Sequence, residues 1–169
     1  ILLSSYPPLQ QLPRGCIILF GSNRQNQFVV DTVFVVGKNF ADVNFYFKNN
    51  NSELFCQMNH GSFCGKNEKC TSSLAVYEGA TPDNPVNGIY SFAPAKIYRE
   101  NTPFTRPVLK QNDFCFISPQ LKQGVKFNKM TTTDIVRHWK KLKMLLLEQG
   151  LVLGVKFTVS NNCSSKTTG

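Results

Sequence analysis

Residues 15–37, GCIILFGSNRQNQFVVDTVFVVG, contain two apolar runs separated by one polar segment. The first run covers 16–20, and the second, 28–36, is rich in the β-branched and aromatic residues that favour strands. The segment between them, 21–27, contains Gly, Ser and Asn, which favour turns. The sequence therefore predicts an antiparallel hairpin at the centre of the core.

Asp31 interrupts the second predicted strand. With a side-chain period of two, it shares one face with Val29, Val33 and Val35, in an otherwise apolar stripe. A carboxylate in such a stripe is costly to bury unless hydrogen-bond donors satisfy it. Two interpretations follow: a structural Asp that accepts backbone or Arg hydrogen bonds or lies at a strand bend, and a functional Asp beside a ligand site.

The length and the charge of the chain limit its class. A chain of 169 residues, 41% of them hydrophobic, is sufficient for one domain with a sizeable core. We expect a single domain over 1–169, with an extended lead-in at 1–13 and a frayed tail at 160–169. The net charge of +9 favours an anionic partner, either nucleic acid or an acidic membrane surface, and the alternative is a basic surface that only confers solubility. Residues 101–169 carry most of this charge, with 11 basic and 3 acidic side chains.

The rest of the chain predicts further short strands and one main helix. Strand patterns occur at 42–47, 74–77, 89–92, 108–109, 113–117 and 151–159. The helix is predicted at about 132–149, because Thr131 and Asp134 form a variant of the capping box and Gly150 can end the helix. We therefore predict an α+β fold: a β-rich single domain with a curved antiparallel or mixed sheet, or an open barrel, and one main C-terminal helix.

The predicted helix has an apolar and a basic side. Its apolar face consists of Ile135, Trp139, Leu142 and Leu146, and residues 144–147 are apolar nearly all round, which predicts deep packing of the second half. The opposite side is basic, which indicates either contact with phosphate groups or a solvated face. Its members are Arg137, Lys140, Lys141 and Lys143.

Aromatic and basic residues alternate along 88–107, GIYSFAPAKIYRENTPFTRP. Aromatic rings can stack on bases while cations hold phosphates, so this pattern is typical of a nucleotide site, and also of a β-rich core with basic edges. We predict Tyr90 and Phe92 as a stacking platform, and Asp31 with Ser22 as groups that contact polar base edges. The predicted phosphate contacts are Arg24, Lys96, Arg99 and Arg106.

Four soft metal ligands lie within 56–70. Cys56, His60, Cys64 and Cys70 have the spacing C-x3-H-x3-C-x5-C, in a segment without periodicity. Such a set can hold structural zinc, although it lacks the C-x2-C pair of zinc ribbons. The other interpretations are a Cys–His pair that acts as nucleophile and base, and loop cysteines that are free or joined by disulfides.

The sequence contains no apolar run that is long enough to span a bilayer. The chain begins with Ile, so we expect that it has been processed, cut or only partly represented. A cytoplasmic location is favoured.

The hairpin residues suggest a family. Residues 15–20 and 28–36 resemble the first strands of PUA-like domains, the group that includes the ASCH and EVE families, although Cys16 stands where those families usually have Asp. FGS, FVVDTVFVV and GIYSFAPA are also similar to nucleotide-modification-associated domains of bacteria and phages. This resemblance implies a small, strongly curved β-barrel that binds RNA or a modified base in an aromatic pocket. It transfers no functional residue to a numbered position.

These observations predict a domain that binds nucleic acid, DNA or RNA, or a nucleotide, modified or unmodified, through a basic surface and an aromatic pocket. One alternative is an enzyme that acts on nucleotides or modified bases, with Asp31 as acid or base, or His60 and Cys64 as a pair. The sequence lacks a phosphate-cradling Gly loop, a nucleophile elbow and an HExxH motif, which weighs against that alternative. The other alternative is an interaction module stabilised by structural zinc. The sequence leaves the oligomeric state open.

Overall fold

Seven strands and one helix make up the part of the chain that the computed structural model describes, residues 2–4, 11–24, 27–40, 75–97, 103–110 and 130–155. In chain order they are β1 (Leu2–Ser4), β2 (Ile17–Arg24), β3 (Gln27–Phe40), β4 (Ala75–Gly79), β5 (Ala93–Ala95), β6 (Val108–Lys110), α1 (Thr132–Glu148) and β7 (Val152–Gly154). The strand pairs are antiparallel, and the described strands form no closed barrel. The predicted α+β fold with one main C-terminal helix is confirmed.

The long strand β3 is the centre of the main sheet. Along one edge it pairs with β2, from Ile17 opposite Val35 to Arg24 opposite Gln27, which confirms the predicted hairpin. Along the other edge it pairs with β6, then with Phe92 through an isolated bridge at Val33, and then with β4. β1 adds to the free edge of β4, so residues 2–4 of the predicted lead-in belong to the sheet. β5 and β7 form a separate pair.

A β-bulge at Asp31 changes the predicted faces of β3. Phe20 pairs with Thr32 and Gly21 pairs with Val30, so Asp31 has no opposite residue on β2. A bulge inserts one residue into one strand and shifts the alternation of side chains beyond it. Val30 and Val33 therefore belong to the same buried cluster, while Asp31 is exposed. The prediction that Asp31 lies in an apolar stripe is wrong, and its position at a strand bend agrees with the structural interpretation.

The main core lies between β3 and α1. Trp139, Leu142 and Leu146 of the helix are 4%, 2% and 0% exposed and pack in one cluster with Val30, Val33 and Val35. Burying one large apolar side chain stabilises the fold by about 1.5–3 kcal/mol. The predicted apolar face of the helix is confirmed, since Ile135 packs against the same cluster.

The ends of α1 follow the predicted signals. The Thr131 hydroxyl accepts the Asp134 backbone N–H at 3.2 Å, and the Asp134 carboxylate accepts the Thr131 N–H in return. The hydrogen bond from the Thr131 hydroxyl holds the pKa of Asp134 below its usual value. Gly150, with a φ of +72°, follows the last turn in the left-handed conformation that favours glycine.

The other face of β3 is buried by a second cluster. Phe34 and Val36 pack there with Ala75 and Tyr77 of β4, and Cys16 lies against this cluster. Burial raises the pKa of the Cys16 thiol, which therefore stays protonated at neutral pH. Residues 33–36 of β3 are thus covered on both faces.

A serine side chain completes the ladder between β3 and its neighbours. The Val35 N–H donates to Ser91 Oγ at 2.9 Å, and the Ser91 hydroxyl donates to the Val35 carbonyl oxygen at 3.2 Å. Ala80 also donates its backbone N–H to the Val35 oxygen at 2.8 Å. No described strand pairs with Val35 on this edge of β3. The Ser91 hydroxyl therefore accepts the Val35 N–H in place of a backbone carbonyl oxygen.

Two of the other predicted strands are observed, one is replaced by isolated bridges, and the rest lie partly or wholly outside the described residues. The prediction at 74–77 corresponds to β4 and the one at 108–109 to β6, whereas 89–92 forms only bridges at Ile89 and Phe92. Within the prediction at 151–159, residues 152–154 form β7, and residues 156–159 lie outside the described residues. The predicted strands at 42–47 and 113–117 and the tail at 160–169 lie outside the described residues.

Candidate functional site

An open groove of about 680 Å³ lies between α1 and the turn before Tyr90. It joins one member of the predicted stacking platform, Tyr90, to two members of the predicted basic helix side, Lys140 and Lys143. The described lining residues are Gly88, Tyr90, Trp139, Lys140, Lys143, Met144, Leu147 and Glu148. A volume of this size is within the usual range for small-molecule sites, about 300–1,000 Å³.

A tight turn positions Tyr90. Val86 and Ile89 exchange backbone hydrogen bonds of 2.9 and 3.0 Å across Asn87 and Gly88. Both turn residues have positive φ, 51° and 78°, as the two central residues of type I′ turns do. Val86 and Ile89 are buried, so the turn is anchored in the core. Tyr90 follows immediately and is half-buried.

Trp139 forms the floor of the groove. Its indole N–H donates to the Tyr90 carbonyl oxygen at 3.0 Å, and the two rings meet edge to face with centroids 4.9 Å apart. Phe92 packs against the indole from another side, at 6.0 Å. The sequence predicts Trp139 only as a core residue, although its spacing of four residues from Lys143 places these two side chains next to each other on a helix.

The charge of the groove is positive among its described lining residues, which include two lysines and one glutamate. Lys143 Nζ lies 5.5 Å from the centroid of the Trp139 ring, within the range of a cation–π interaction. Neither Lys140 nor Lys143 belongs to an ion pair of the described residues. Their ammonium groups are therefore not neutralised by a carboxylate of the described chain.

One rim of the groove is apolar. Met144 and Leu147 are 52% and 46% exposed, so the prediction that residues 144–147 are deeply packed is wrong for these two. Leu146 is fully buried and Leu145 is half-buried, because the helix turns only one side towards the core. The exposed pair gives the groove an apolar surface beside its two cations.

Other predicted site residues lie elsewhere. Phe92 is 2% exposed and belongs to the core, so it supports Trp139 and offers no open face for stacking. Ser22, half-buried on β2, and Lys96, exposed after β5, do not line the groove. The side chain of Arg24 and the whole of Arg99 lie outside the described residues, as do the predicted metal ligands Cys56, His60, Cys64 and Cys70. Within the described ranges no group of His, Cys, Asp and Glu is arranged to hold a metal ion.

Asp31 and Arg106, predicted to contact a ligand, contact each other. Arg106 Nη1 donates to Asp31 Oδ1 at 2.6 Å, and the two side chains are 49% and 41% exposed. The Val30 N–H donates to the Pro107 carbonyl oxygen at 2.9 Å, which fixes the chain beside Arg106 against the bulge. The pair therefore joins the bulge of β3 to the segment that precedes β6.

Replacing Asp31 with asparagine is expected to lower the free energy of unfolding by less than about 1 kcal/mol, because water and salt screen an exposed ion pair. Chemical denaturation of Asp31→Asn, Arg106→Gln and the double variant would measure the coupling between the two side chains. A coupling well above that value would show that the pair is an essential tie between β3 and β6.

The remaining basic residues of the helix differ from Lys140 and Lys143. Arg137 Nη2 donates to Asp134 Oδ1 at 2.6 Å and lies away from the groove lining. Lys141 is exposed and also does not line the groove. His138 is half-buried, and burial lowers its pKa, with the nearby Arg137 guanidinium acting in the same direction. The imidazole is therefore neutral at physiological pH, as a packed histidine would be.

No helix in the described part of the chain has the length and apolarity needed to cross a bilayer. Comparison of the chain with protein-family models, with curated proteins and with solved structures finds no match.

Proposed function

We propose that the protein binds a nucleotide, free or within a nucleic acid, in the groove formed by Tyr90, Trp139, Lys140 and Lys143. One observation carries the proposal: an aromatic and two cations from distant parts of the sequence line the same groove. Aromatic rings and ammonium groups recognise the two chemically distinct halves of a nucleotide, the base and the phosphate.

The apolar part of the groove is suited to a base. Tyr90 is half-buried, its ring lies edge to face against the Trp139 indole and its backbone carbonyl oxygen accepts the indole N–H. Met144 and Leu147 provide exposed apolar surface nearby. Stacking of a base on an aromatic side chain contributes about 1–3 kcal/mol and is tolerant of sequence. A base that lies in this groove cannot at the same time be stacked in a duplex, so the proposal favours a single strand or a free nucleotide.

The charged part is suited to a phosphate. Lys140 and Lys143 lie one helical turn apart on the same side of α1. Neither lysine has a carboxylate partner among the described residues, so a phosphate that binds them displaces no ion pair of this part of the chain. Glu148, at the far end of the lining, disfavours a second phosphate beyond this point.

The fluorescence of Trp139 can be used to measure binding in the groove, because Trp139 is the single tryptophan of the chain. Nucleoside monophosphates and labelled single- and double-stranded DNA and RNA would be titrated while indole fluorescence or anisotropy is followed at several salt concentrations. Lys140→Ala with Lys143→Ala is expected to weaken binding at least about tenfold and to reduce the salt slope by about one unit for each lost phosphate contact. Tyr90→Leu is expected to weaken binding by a similar factor, while Tyr90→Phe keeps the ring and most of the affinity.

Arg137→Ala is the matched control, since it removes one positive charge from the same helix outside the groove lining. It should leave the affinity and the salt slope close to those of the unmodified protein. If Arg137→Ala weakened binding and lowered the salt slope as much per removed charge as the double lysine variant, binding would reflect only the net charge of the chain. The groove would then not be the site.

A further inference from the structure

A second cavity, of about 400 Å³, lies where β3, β4 and the turn at 81–88 meet. Its polar lining residues are Arg14, Lys38, Asn39, Glu78 and Asn84, and the remaining lining residues are Gly37, Gly79, Ala80 and Val86. None of them lines the groove beside Trp139. The cavity is therefore a separate place on the molecule, with a different set of side chains.

The backbone holds the two cations of this cavity in place. Arg14 precedes Gly15, whose N–H donates to the Val36 carbonyl oxygen at 2.8 Å and whose φ of +89° favours glycine. The next N–H, of Cys16, donates to Pro13 at 3.1 Å, so the chain on both sides of Arg14 is hydrogen-bonded. Lys38 follows a register shift in β3 after Val36.

Glycine at position 37 keeps β3 close to the chain beyond β4. A Cβ atom there would lie 2.8 Å from the backbone nitrogen of Ala80, which is too close for any other residue. The Ala80 N–H in turn donates to the Val35 oxygen at 2.8 Å, so the two segments cannot simply separate. This close approach fixes the cavity wall from which Lys38 and Asn39 extend.

The charges in the cavity are only partly balanced. Lys38 Nζ lies 4.0 Å from Glu78 Oε2, at the outer limit of an ion pair. No ion pair of the described residues includes Arg14. The described lining therefore has two cations and one carboxylate, which lies beside Lys38 alone, and so carries an excess positive charge together with the side-chain amides of Asn39 and Asn84.

We propose that this cavity binds the phosphate group of a small phosphate monoester that carries hydroxyl groups, such as a sugar phosphate. A guanidinium binds two phosphate oxygens at once, and an ammonium and amide donors complete the coordination of such a group. The Glu78 carboxylate is an acceptor that a phosphate cannot use, and it accepts hydrogen bonds from the hydroxyls of the same ligand. The volume is also sufficient for a small molecule, not only for an ion.

The test uses amide NMR spectra of the full ¹⁵N-labelled chain in phosphate-free buffer. Ribose 5-phosphate, inorganic phosphate and ribose would be titrated separately. Ribose 5-phosphate is expected to give saturable shifts of the Gly37 and Gly79 amides with a Kd of about 1 mM or below. No saturable shift of these amides up to about 10 mM would overturn the proposal. An equal response to ribose alone would overturn it as well, and equal affinity for inorganic phosphate would overturn the ester assignment.

Two variants assign the contacts. Arg14→Gln and, separately, Lys38→Gln should each weaken binding of ribose 5-phosphate about tenfold or more, because each removes a charged contact to phosphate. Both side chains are exposed, so the spectra themselves would show that the fold is kept. Unchanged affinity in both variants would overturn the proposal.

Lys140→Gln separates this site from the groove. It should leave the shifts of Gly37 and Gly79 unchanged, and any ligand in the groove would be detected at Gly88, which lines the groove alone. Loss of the Gly37 and Gly79 response in Lys140→Gln would show that the two cavities are not independent and would overturn the assignment of a second site. Failure of nucleotides to bind the groove would leave the result at Gly37 and Gly79 unaffected.

Discussion

Replacing Trp139 with alanine is expected to lower the free energy of unfolding by about 3–5 kcal/mol, a large part of the stability of a domain of this size. The indole is 4% exposed and contacts the rings of Tyr90 and Phe92. Truncation would leave a cavity between α1 and β3 and would also remove the donor to the Tyr90 carbonyl oxygen. Urea denaturation followed by far-ultraviolet circular dichroism measures the loss without relying on the tryptophan signal.

Two controls separate ring volume from hydrogen bonding. Trp139→Phe keeps most of the aromatic surface and loses the indole N–H, so it should lower the free energy of unfolding by about 1–3 kcal/mol. Met144→Ala changes an exposed residue of the same helix and should alter stability by no more than about 0.5 kcal/mol. If Trp139→Ala were as mild as Met144→Ala, the indole could not be the centre of the contact between the helix and the sheet.

Gly21→Ala is expected to lower the free energy of unfolding by about 3 kcal/mol, although Gly21 is exposed. A Cβ atom at this position would overlap the carbonyl oxygen of Val29 and would come within 2.9 Å of the Phe28 ring. Backbone cannot move aside as a flexible side chain can, and the bulge at Asp31 fixes the pairing of Gly21 with Val30. The substitution therefore forces β2 and β3 apart at the bulge.

Gly88→Ala is the comparison for this substitution. No atom of the described residues lies within 4 Å of a Cβ atom added at Gly88, so the substitution causes no steric overlap with them. Only the backbone φ of +78° is unfavourable for alanine, and it should lower the free energy of unfolding by about 1–2 kcal/mol. Denaturation midpoints and slopes of both variants, measured in the same buffer, would show which effect is larger. A loss in Gly21→Ala no greater than in Gly88→Ala would mean that the bulge relaxes to accept a side chain.

The elements that the sequence predicts correctly have local signals. The hairpin has two strand-forming runs around a polar turn, and the helix has an N-terminal capping box and an apolar face at Trp139, Leu142 and Leu146. The prediction for β3 does not include the bulge, because it assumes that side chains alternate between the two faces of the strand without interruption at Asp31. The carboxylate in the predicted apolar stripe was itself the sign that the alternation breaks there.

The groove could be predicted only in parts. Tyr90 and Lys143 were each predicted as binding residues, but nothing in the sequence relates them, because they meet through packing of segments 49 residues apart, Tyr90 and Trp139. The apolar helix face predicts Trp139 as a core residue and gives no sign that it also lines a groove. One side of its indole ring packs in the core, while another side forms the floor of the groove. No sequence pattern indicates the cavity beside Arg14 and Lys38. A register shift in β3 and a turn distant in sequence create it.

The arrangement of β3 also affects how the nascent chain avoids aggregation. β2 can pair with β3 as soon as both are synthesised, whereas the other edge of β3 waits for β4, Phe92 and β6, which come later in the chain. At about 5–20 residues per second, this apolar edge stays open for several seconds, and open edges are templates for pairing with other chains. A bulge and a charged side chain are two common devices against such pairing. The β2–β3 pairing has its bulge at Asp31, and the Asp31 carboxylate lacks its Arg106 partner until the chain beyond β5 has been synthesised. β3 therefore has both devices while its other edge is open.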